Sequence, residues 1–188
     1  MNDIFPDFLY EPVDEVARKL LGSILERELD GQTVRVRIVE TESYDQEDEA
    51  SHSYGGEGVR NATMFQDAGH VYVYFIYGMH YCCNIVCGAA GYGAGVLIRA
   101  VEPISGKELL EKRRGISGKN AMNGPAKVCQ ALGIDMRLDG HDLHQSPLKL
   151  LHGCQEGETI VSSPRIGISK ARDRHRRFYF KGNPYVSR

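Results

Sequence analysis

Arg35-Val36-Arg37-Ile38-Val39-Glu40-Thr41-Glu42-Ser43-Tyr44 starts with the alternation of a half-buried β-strand and then departs from it. Val34, Val36 and Ile38 fall on one side and Arg35 and Arg37 on the other, as a period of two requires. Carried on without a bulge, the apolar side also receives Glu40, Glu42 and Tyr44. Two carboxylates and a tyrosine then leave the strand on the face that packs into the core. A carboxylate placed there loses hydration, which works against its charged form. Such positions cost stability and suit chemistry.

Working outward, Ile24 to Leu29 reads as a strand, and Asp30-Gly31 as the hairpin turn that joins it to the Val34 strand. Further on, Val71-Tyr72-Val73-Tyr74-Phe75-Ile76 runs into Tyr77-Gly78-Met79-His80, and Tyr81 to Cys87 returns. That is a second hairpin, with a tyrosine at its tip. Val96 to Val101 is another strand and carries Arg99. Between them, Asp45 to Ala68 has no periodicity, and a connection of that length is usually functional or mobile. Gly91-x-Gly93-x-Gly95 lacks the spacing and the following helix of a dinucleotide fingerprint and reads as a flexible loop.

Val13, Val16, Ala17, Leu20 and Leu21 stand at helical spacing, with Gly22 as a C-terminal cap. Ser105-x-x-Glu108 reads as a capping box opening a helix toward Lys112-Arg113-Arg114. Gly124-Pro125 starts a third helix, which ends near Leu132 with Gly133 as cap. Ile160-Val161, Arg165-Ile166-Gly167-Ile168 and Phe178-Tyr179-Phe180 read as short strands. No repeat or linker interrupts the chain. The expectation is one α+β domain over residues 1–188, built on a mainly antiparallel sheet.

A length of 188 residues and 41 % hydrophobic content suffice for a proper core. The formal net charge of -2 does not announce a nucleic-acid partner. Its distribution says more: eight Lys/Arg against Asp173 alone from Pro164 to Arg188, and acids with no Lys or Arg from Glu40 to Glu57. The basic end is either a solvated face or a nucleic-acid contact. Five cysteines, two of them adjacent at Cys82-Cys83, do not read as a disulfide framework, and Cys82-Cys83-x3-Cys87 is poorly spaced for a metal. They read as buried, reduced hydrophobes. Met1 to Asp7 lacks the features of a signal peptide and no apolar run reaches membrane-spanning length, so a soluble, cytoplasmic protein is expected, with no membrane partner.

Tyr77 needs a reason to sit at a hairpin tip. Either the tip folds back and Tyr77 is core, or it is an aromatic wedge of the kind that unstacks nucleic acid. Gly78 beside it permits close backbone approach. Glu42 and, by parity, Glu40 are either salt-bridged to Arg35, Arg37 or Arg99 or are chemical groups, the pair together suiting glycoside hydrolysis. His52 in its loop is either incidental or part of a site. Tyr44, Tyr72 and Tyr74 are either sheet packing or the walls of a slot for a planar ring.

Several of these stretches resemble successive blocks of the alkyladenine (3-methyladenine) DNA glycosylase family. The similar blocks are Val39-Glu40-Thr41-Glu42-Ser43-Tyr44, Glu47-Asp48-Glu49-Ala50-Ser51-His52-Ser53, Arg60-Asn61-x-x-Met64-Phe65 and Val71 to Met79. Asn84, Leu97 to Pro103, Gly124-Pro125-x-Lys127-x-Cys129-Gln130-Ala131-Leu132 and Gly182-x-Pro184-x-Val186-Ser187 complete the series, in order over nearly the whole chain.

The resemblance implies a single mixed domain with a curved sheet, surrounding helices and a protruding hairpin that intercalates DNA. It implies a hydrolase of base-excision repair, and a carboxylate with aromatic walls, rather than an amine, at the reacting centre makes a monofunctional one the expectation. Such an enzyme flips alkylated or deaminated purines (3-methyladenine, 7-methylguanine, hypoxanthine, etheno adducts) out of duplex DNA and leaves an abasic site. By block, Glu42 matches the general base that activates water, and Tyr77 the residue that fills the gap left by the flipped nucleotide. Tyr44, His52 and Tyr74 match the walls around the base, and Asn84 a residue that screens purine substituents. Met79 and Arg99 match residues near the DNA and the reacting nucleotide, and Ile166 and Gly167 backbone contacts beside the water and base; Lys127, at a helix start, suits a DNA-phosphate contact. The basic C-terminal part and Lys112 to Arg114 would add non-specific DNA affinity. The expected partner is duplex DNA carrying damaged purines, bound by a monomer, with no cofactor and no metal. A non-catalytic nucleic-acid-binding module with the same hairpin, and a hydrolase of free nucleosides, are the alternatives. The first has no use for a buried acid and the second none for a wedge.

Overall fold

A computed structural model describes residues 5–187. Met1 to Ile4, part of the stretch read as lacking a signal peptide, lie outside the described residues. The sheet grows from one long central strand. β1 (Ile24–Leu29) and β2 (Gln32–Asp45) form the hairpin expected around Asp30-Gly31, with both turn residues at positive φ (50° and 76°). β3 (Val71–Ile76) and β4 (His80–Val86) form the second hairpin, and β5 (Ala94–Ser105) follows. β6 (Leu148–Leu151), β7 (Ile160–Ser163) and β8 (Arg177–Phe180) are short. Every named strand pair is antiparallel, in the order β3-β4-β5-β2-β1-β6, with β8 also on β2 and β7 on β8.

β2 explains the curl of this sheet. One edge pairs with β5 throughout, while the other is shared: residues 32–37 face β1 and residues 40–42 face β8. The β2–β5 register shifts between Ile38 and Glu40 and again between Glu40 and Thr41, where the partner changes. Such bulges bend a strand and raise its local twist. The assumption of an unbroken alternation is thereby corrected: Ile38 and Val39, sequence neighbours, both join the hydrophobic core. Glu40, Glu42 and Tyr44 nonetheless come together beyond the bulge, gathered by contacts described below.

Three helices cover the sheet. α1 (Val13–Lys19) buries Val13, Val16 and Ala17 against β2 and β5, and Gly22, at φ +88°, takes the chain out of it. α2 (Lys107–Arg114) buries Leu110 and α3 (Pro125–Leu132) buries Val128, Cys129, Ala131 and Leu132, the latter against β4 and β5. Each large aliphatic side chain so buried stabilises the fold by roughly 1.5–3 kcal/mol before entropy is counted. Pro125 and Gly133 stand where expected.

The capping box does not form. β5 runs on through Ser105, and Gly106, left-handed at φ +71° and packed on Val34, is the residue before α2. Strand pairing has claimed the serine that a cap would need. Arg165 to Ile168 is not a strand either; it is an irregular segment held by side chains, for reasons given below. Leu148–Leu151, too short to read as a strand from its alternation, pairs with β1. Cys82, Cys83, Cys87 and Cys129 are buried and reduced as expected, whereas Cys154 is exposed. Among the described residues no helix is long and apolar enough to cross a membrane.

The loop after β2 is held by its own polar groups. Asn61 donates to the carbonyls of His52 (2.8 Å) and Gly56 (3.0 Å) and accepts from the Gly58 N–H (2.7 Å). Ser53 donates to the Gly93 carbonyl (2.8 Å). His52 is thereby fixed in a segment without regular structure.

Candidate active site

Glu40 and Glu42 leave β2 two residues apart and share Arg99 of β5, but their surroundings differ. Glu40 is saturated. Its Oε1 accepts from Arg177 (2.6 Å), the Ser187 hydroxyl (2.7 Å) and Arg99 (3.1 Å), and its Oε2 from the Ser187 N–H (2.6 Å). Glu42 is equally buried but lines a cavity of about 720 Å³. Its Oε2 accepts from the Tyr44 hydroxyl (2.7 Å) and lies 3.2 Å from Arg99 Nη1, and its Oε1 accepts from the Ile166 N–H (2.8 Å). The ambiguity that parity left between the two acids is therefore one of position: only Glu42 is on the cavity.

The cavity has the volume of a small-molecule site. Tyr44, His52, Tyr72 and Tyr74 are among its lining residues, and Asn84, Leu97 and Cys82 contribute to it from β4 and β5. Tyr72 and Tyr74 stack with centroids 5.5 Å apart, and the His52 ring meets Tyr74 edge-on at 4.6 Å. His52 Nδ1 and the Tyr72 hydroxyl are 3.0 Å apart, so the loop histidine is hydrogen-bonded to the sheet. Asn84, nearly buried, directs its amide toward the Tyr72 carbonyl at 3.5 Å.

Burial sets the titration of this wall. It raises the Tyr44 phenol, helped by the negative charge of Glu42 and its hydrogen bond, and raises Tyr74 as well; Tyr72 is pushed up to about 12. All three stay neutral donors at physiological pH. Burial, then the charge of Arg60, lowers His52, which favours neutral imidazole. For Arg99, burial works to lower the value, but the charges of Glu42 and Glu40 outweigh it and hold the guanidinium above its usual range.

The β3–β4 hairpin stands at the mouth. Tyr77 is 76 % exposed and Met79 69 %, so the tip does not fold back into the core. Tyr77 (φ +54°) and Gly78 (φ +67°) are both left-handed, and the turn closes with Met79 N–H on the Ile76 carbonyl at 3.3 Å. Left-handed backbone is routine for Gly78 but costs a bulky L-residue about 1–2 kcal/mol. Strain of this kind collects where function holds a residue in place. Tyr77 lines the cavity rim, whereas Met79 lies outside it. Lys127, in the first turn of α3, also lines the cavity and donates to Asn123 at 2.7 Å. Ile166 and Gly167 close the cavity beside Glu42.

Of the residues matched to site roles from the sequence, Met79 is off the cavity, as is Glu40, the alternative acid. Asp48, Arg165, Arg177 and Ser187 were passed over. Arg165, Arg177 and Ser187 are far from Glu42 and Glu40 in sequence, and Asp48 sits in the acidic loop just after them; nothing local says which of these groups meet. Among the described residues, no group of three or more His, Cys, Asp and Glu is placed to hold a metal ion.

An antiparallel half-barrel with a projecting aromatic hairpin and a cavity lined by stacked tyrosines, Glu42 and Glu49 has the form of an enzyme with an aromatic, carboxylate-bearing cleft. The sequence matches the family described as Methylpurine-DNA glycosylase (MPG) over residues 7–184, and the chain belongs to that family. It is 46 % identical over 183 residues to a protein of Nitrosospira multiformis, covering 97 % of this chain and 92 % of the relative. It is also 46 % identical to proteins of Carboxydothermus hydrogenoformans and Methanoculleus marisnigri, in each case over 92 % of both chains. All three carry the name "Putative 3-methyladenine DNA glycosylase".

Proposed function

We propose that this protein is a base-excision DNA glycosylase that extrudes damaged purines from duplex DNA and hydrolyses their N-glycosidic bond. The observation that carries the reading is Glu42 on the wall of an aromatic cavity whose mouth bears an exposed, strained tyrosine. A purine leaves the stack before it can enter, and Tyr77 inserts where it was. Tyr44, His52 and Tyr74 hold the extruded ring, and aromatic faces favour the electron-poor rings that alkylation creates. Asn84 meets the purine edge. Met79 at the tip, together with Lys127 and Arg99, contacts the DNA, Lys127 as a phosphate ligand.

The chemistry needs one carboxylate. The bond from C1′ to the base nitrogen breaks, and its electron pair leaves with the base. The sugar gains oxocarbenium character, which the Glu42 charge opposes. A water oxygen bonds to C1′ and passes a proton to Glu42, leaving an abasic sugar in an intact strand. Tyr44, Arg99 and the Ile166 N–H orient the carboxylate for this. The proposed form is a monomer, acting in the cytoplasm where nucleoid DNA lies.

The test is base release from duplexes that each carry 3-methyladenine, 7-methylguanine, hypoxanthine or an etheno adduct. Release of one or more bases at the expense of no undamaged purine is the expected outcome. Binding of lesion duplexes with no release from any of them would leave only a binding module.

A further inference from the structure

We propose that Arg165 is a positioning residue for Glu42, because its guanidinium, clamped on Asp48, holds in place the donors that meet both oxygens of that carboxylate. The inference rests on the reading of Glu42 above. Arg165 and Asp48 have fully buried side chains and lie 117 positions apart. Arg165 Nη2 donates to Asp48 Oδ1 at 3.0 Å, Nη1 donates to Asp48 Oδ2, and Nη1 also donates to the Ser43 carbonyl at 3.0 Å. The guanidinium carbon stands 4.5 Å from the centre of the Tyr44 ring.

Each contact bears on Glu42. Ser43 is its neighbour in β2. Tyr44, under the guanidinium, donates to Oε2 at 2.7 Å. Ile166, the residue after Arg165, donates its N–H to Oε1 at 2.8 Å. Ile166 lies in no strand or helix, so no ladder holds that amide in place. The Arg165 side chain is what anchors the segment beside it. Asp48 in turn accepts from the Ala50 N–H at 3.1 Å, at the start of the cavity-lining segment that includes Ser51 and His52. One ion pair thus ties together both segments beside the carboxylate.

The pair is a costly way to hold two loops if stability were its only use, since apolar residues often serve as well. Arg165 Nε finds no acceptor among the described residues, which adds to the cost. A planar fork that bonds a carboxylate twice while lying on a ring is specific to arginine, and lysine does not reproduce it.

The experiment compares wild type with Arg165→Lys in single-turnover excision, in affinity for a duplex with an abasic site, in urea unfolding, and in exchange of the Ile166 amide by NMR. We expect a folded variant with unchanged affinity, faster Ile166 exchange, and a single-turnover rate lower on the order of 10- to 100-fold. In a Tyr44→Phe background the same substitution should lose less, since the two act through one carboxylate. A folded Arg165→Lys with wild-type rate, or losses that multiply independently, would overturn the proposal. If Arg165→Lys does not fold, Asp48→Asn carries the same comparison, with Arg176 still 3.4 Å from the site of its carboxylate. If wild type releases no base from any lesion duplex, the proposed function fails; the clamp is then judged by the Ile166 amide, and unchanged exchange overturns it.

Discussion

Glu40 and Glu42 reach the same guanidinium, Arg99, from one strand, yet Glu40 ends in a closed network with Arg177 and Ser187 while Glu42 lines the cavity. The two substitutions to glutamine should therefore fail in different ways. Glu42→Gln keeps shape and packing, binds lesion DNA and releases almost nothing. Glu40→Gln leaves buried arginine charge unmatched, at a cost on the order of 3 kcal/mol, but retains much of its excision rate under conditions where it is folded. Urea midpoints and single-turnover rates measured side by side decide it; equal loss of rate in two folded variants would remove the distinction.

Tyr77 carries strain and exposure together. Asparagine tolerates left-handed backbone far better than an aromatic residue. Tyr77→Asn should leave thermal stability unchanged or raise it by up to about 1 kcal/mol, while weakening lesion-duplex binding by roughly 1–3 kcal/mol. Calorimetry and fluorescence anisotropy test the two halves. A variant that melts early with intact affinity would make Tyr77 a structural residue.

The product should be an abasic site in an unbroken strand. Strand cleavage by a glycosylase requires an amine that forms a Schiff base with the sugar; of the two lysines that line the cavity, Lys127 is engaged with Asn123, and neither it nor Lys170 is given the attack when Glu42 activates water. Lesion duplex treated with enzyme should break only after alkali, and borohydride should trap no covalent complex. A trapped complex would overturn the water-only mechanism.

His52 and the buried Asp48 make the fold acid-sensitive in separate windows, Asp67, Asp135 and Asp142 sharing the lower one. His52 lies below its ordinary 6.5, by burial and then by Arg60, so the fold favours the neutral ring. Its contribution is complete above pH 6.5 and is lost as pH falls through the lower folded value. For Asp48, burial works to raise the value, but the Arg165 hydrogen bonds, the Ala50 N–H and the charges of Arg165 and Arg176 outweigh it and hold the carboxyl below 3.8. That contribution is lost only as pH falls below 3.8. Unfolding midpoints between pH 8 and 3 should fall in two steps, and His52→Gln should flatten the upper one alone. A wild-type midpoint flat from neutral pH down to about 5 would contradict the first assignment.

Much of the architecture was legible along the chain because its signals are local. Alternation marks β1 to β5, Asp30-Gly31 marks the first turn, and Gly22, Pro125 and Gly133 mark helix ends through backbone preferences that hold wherever those residues stand. The same locality exposed Glu42, an acid on an apolar strand face, and Tyr77, an aromatic at a turn. What the tertiary structure decided is what depends on partners far away in sequence. Ser105 looks like a cap until β2 takes it as a strand partner, and Leu148–Leu151 is too short a pattern to read until β1 gives it an edge. Above all, Glu40 and Glu42 are equivalent by periodicity. Only the arrival of Arg177 and Ser187 at one, and of the Arg165–Ile166 segment and an open cavity at the other, separates a structural carboxylate from a chemical one, because desolvation and hydrogen-bond satisfaction are properties of surroundings assembled from the whole chain.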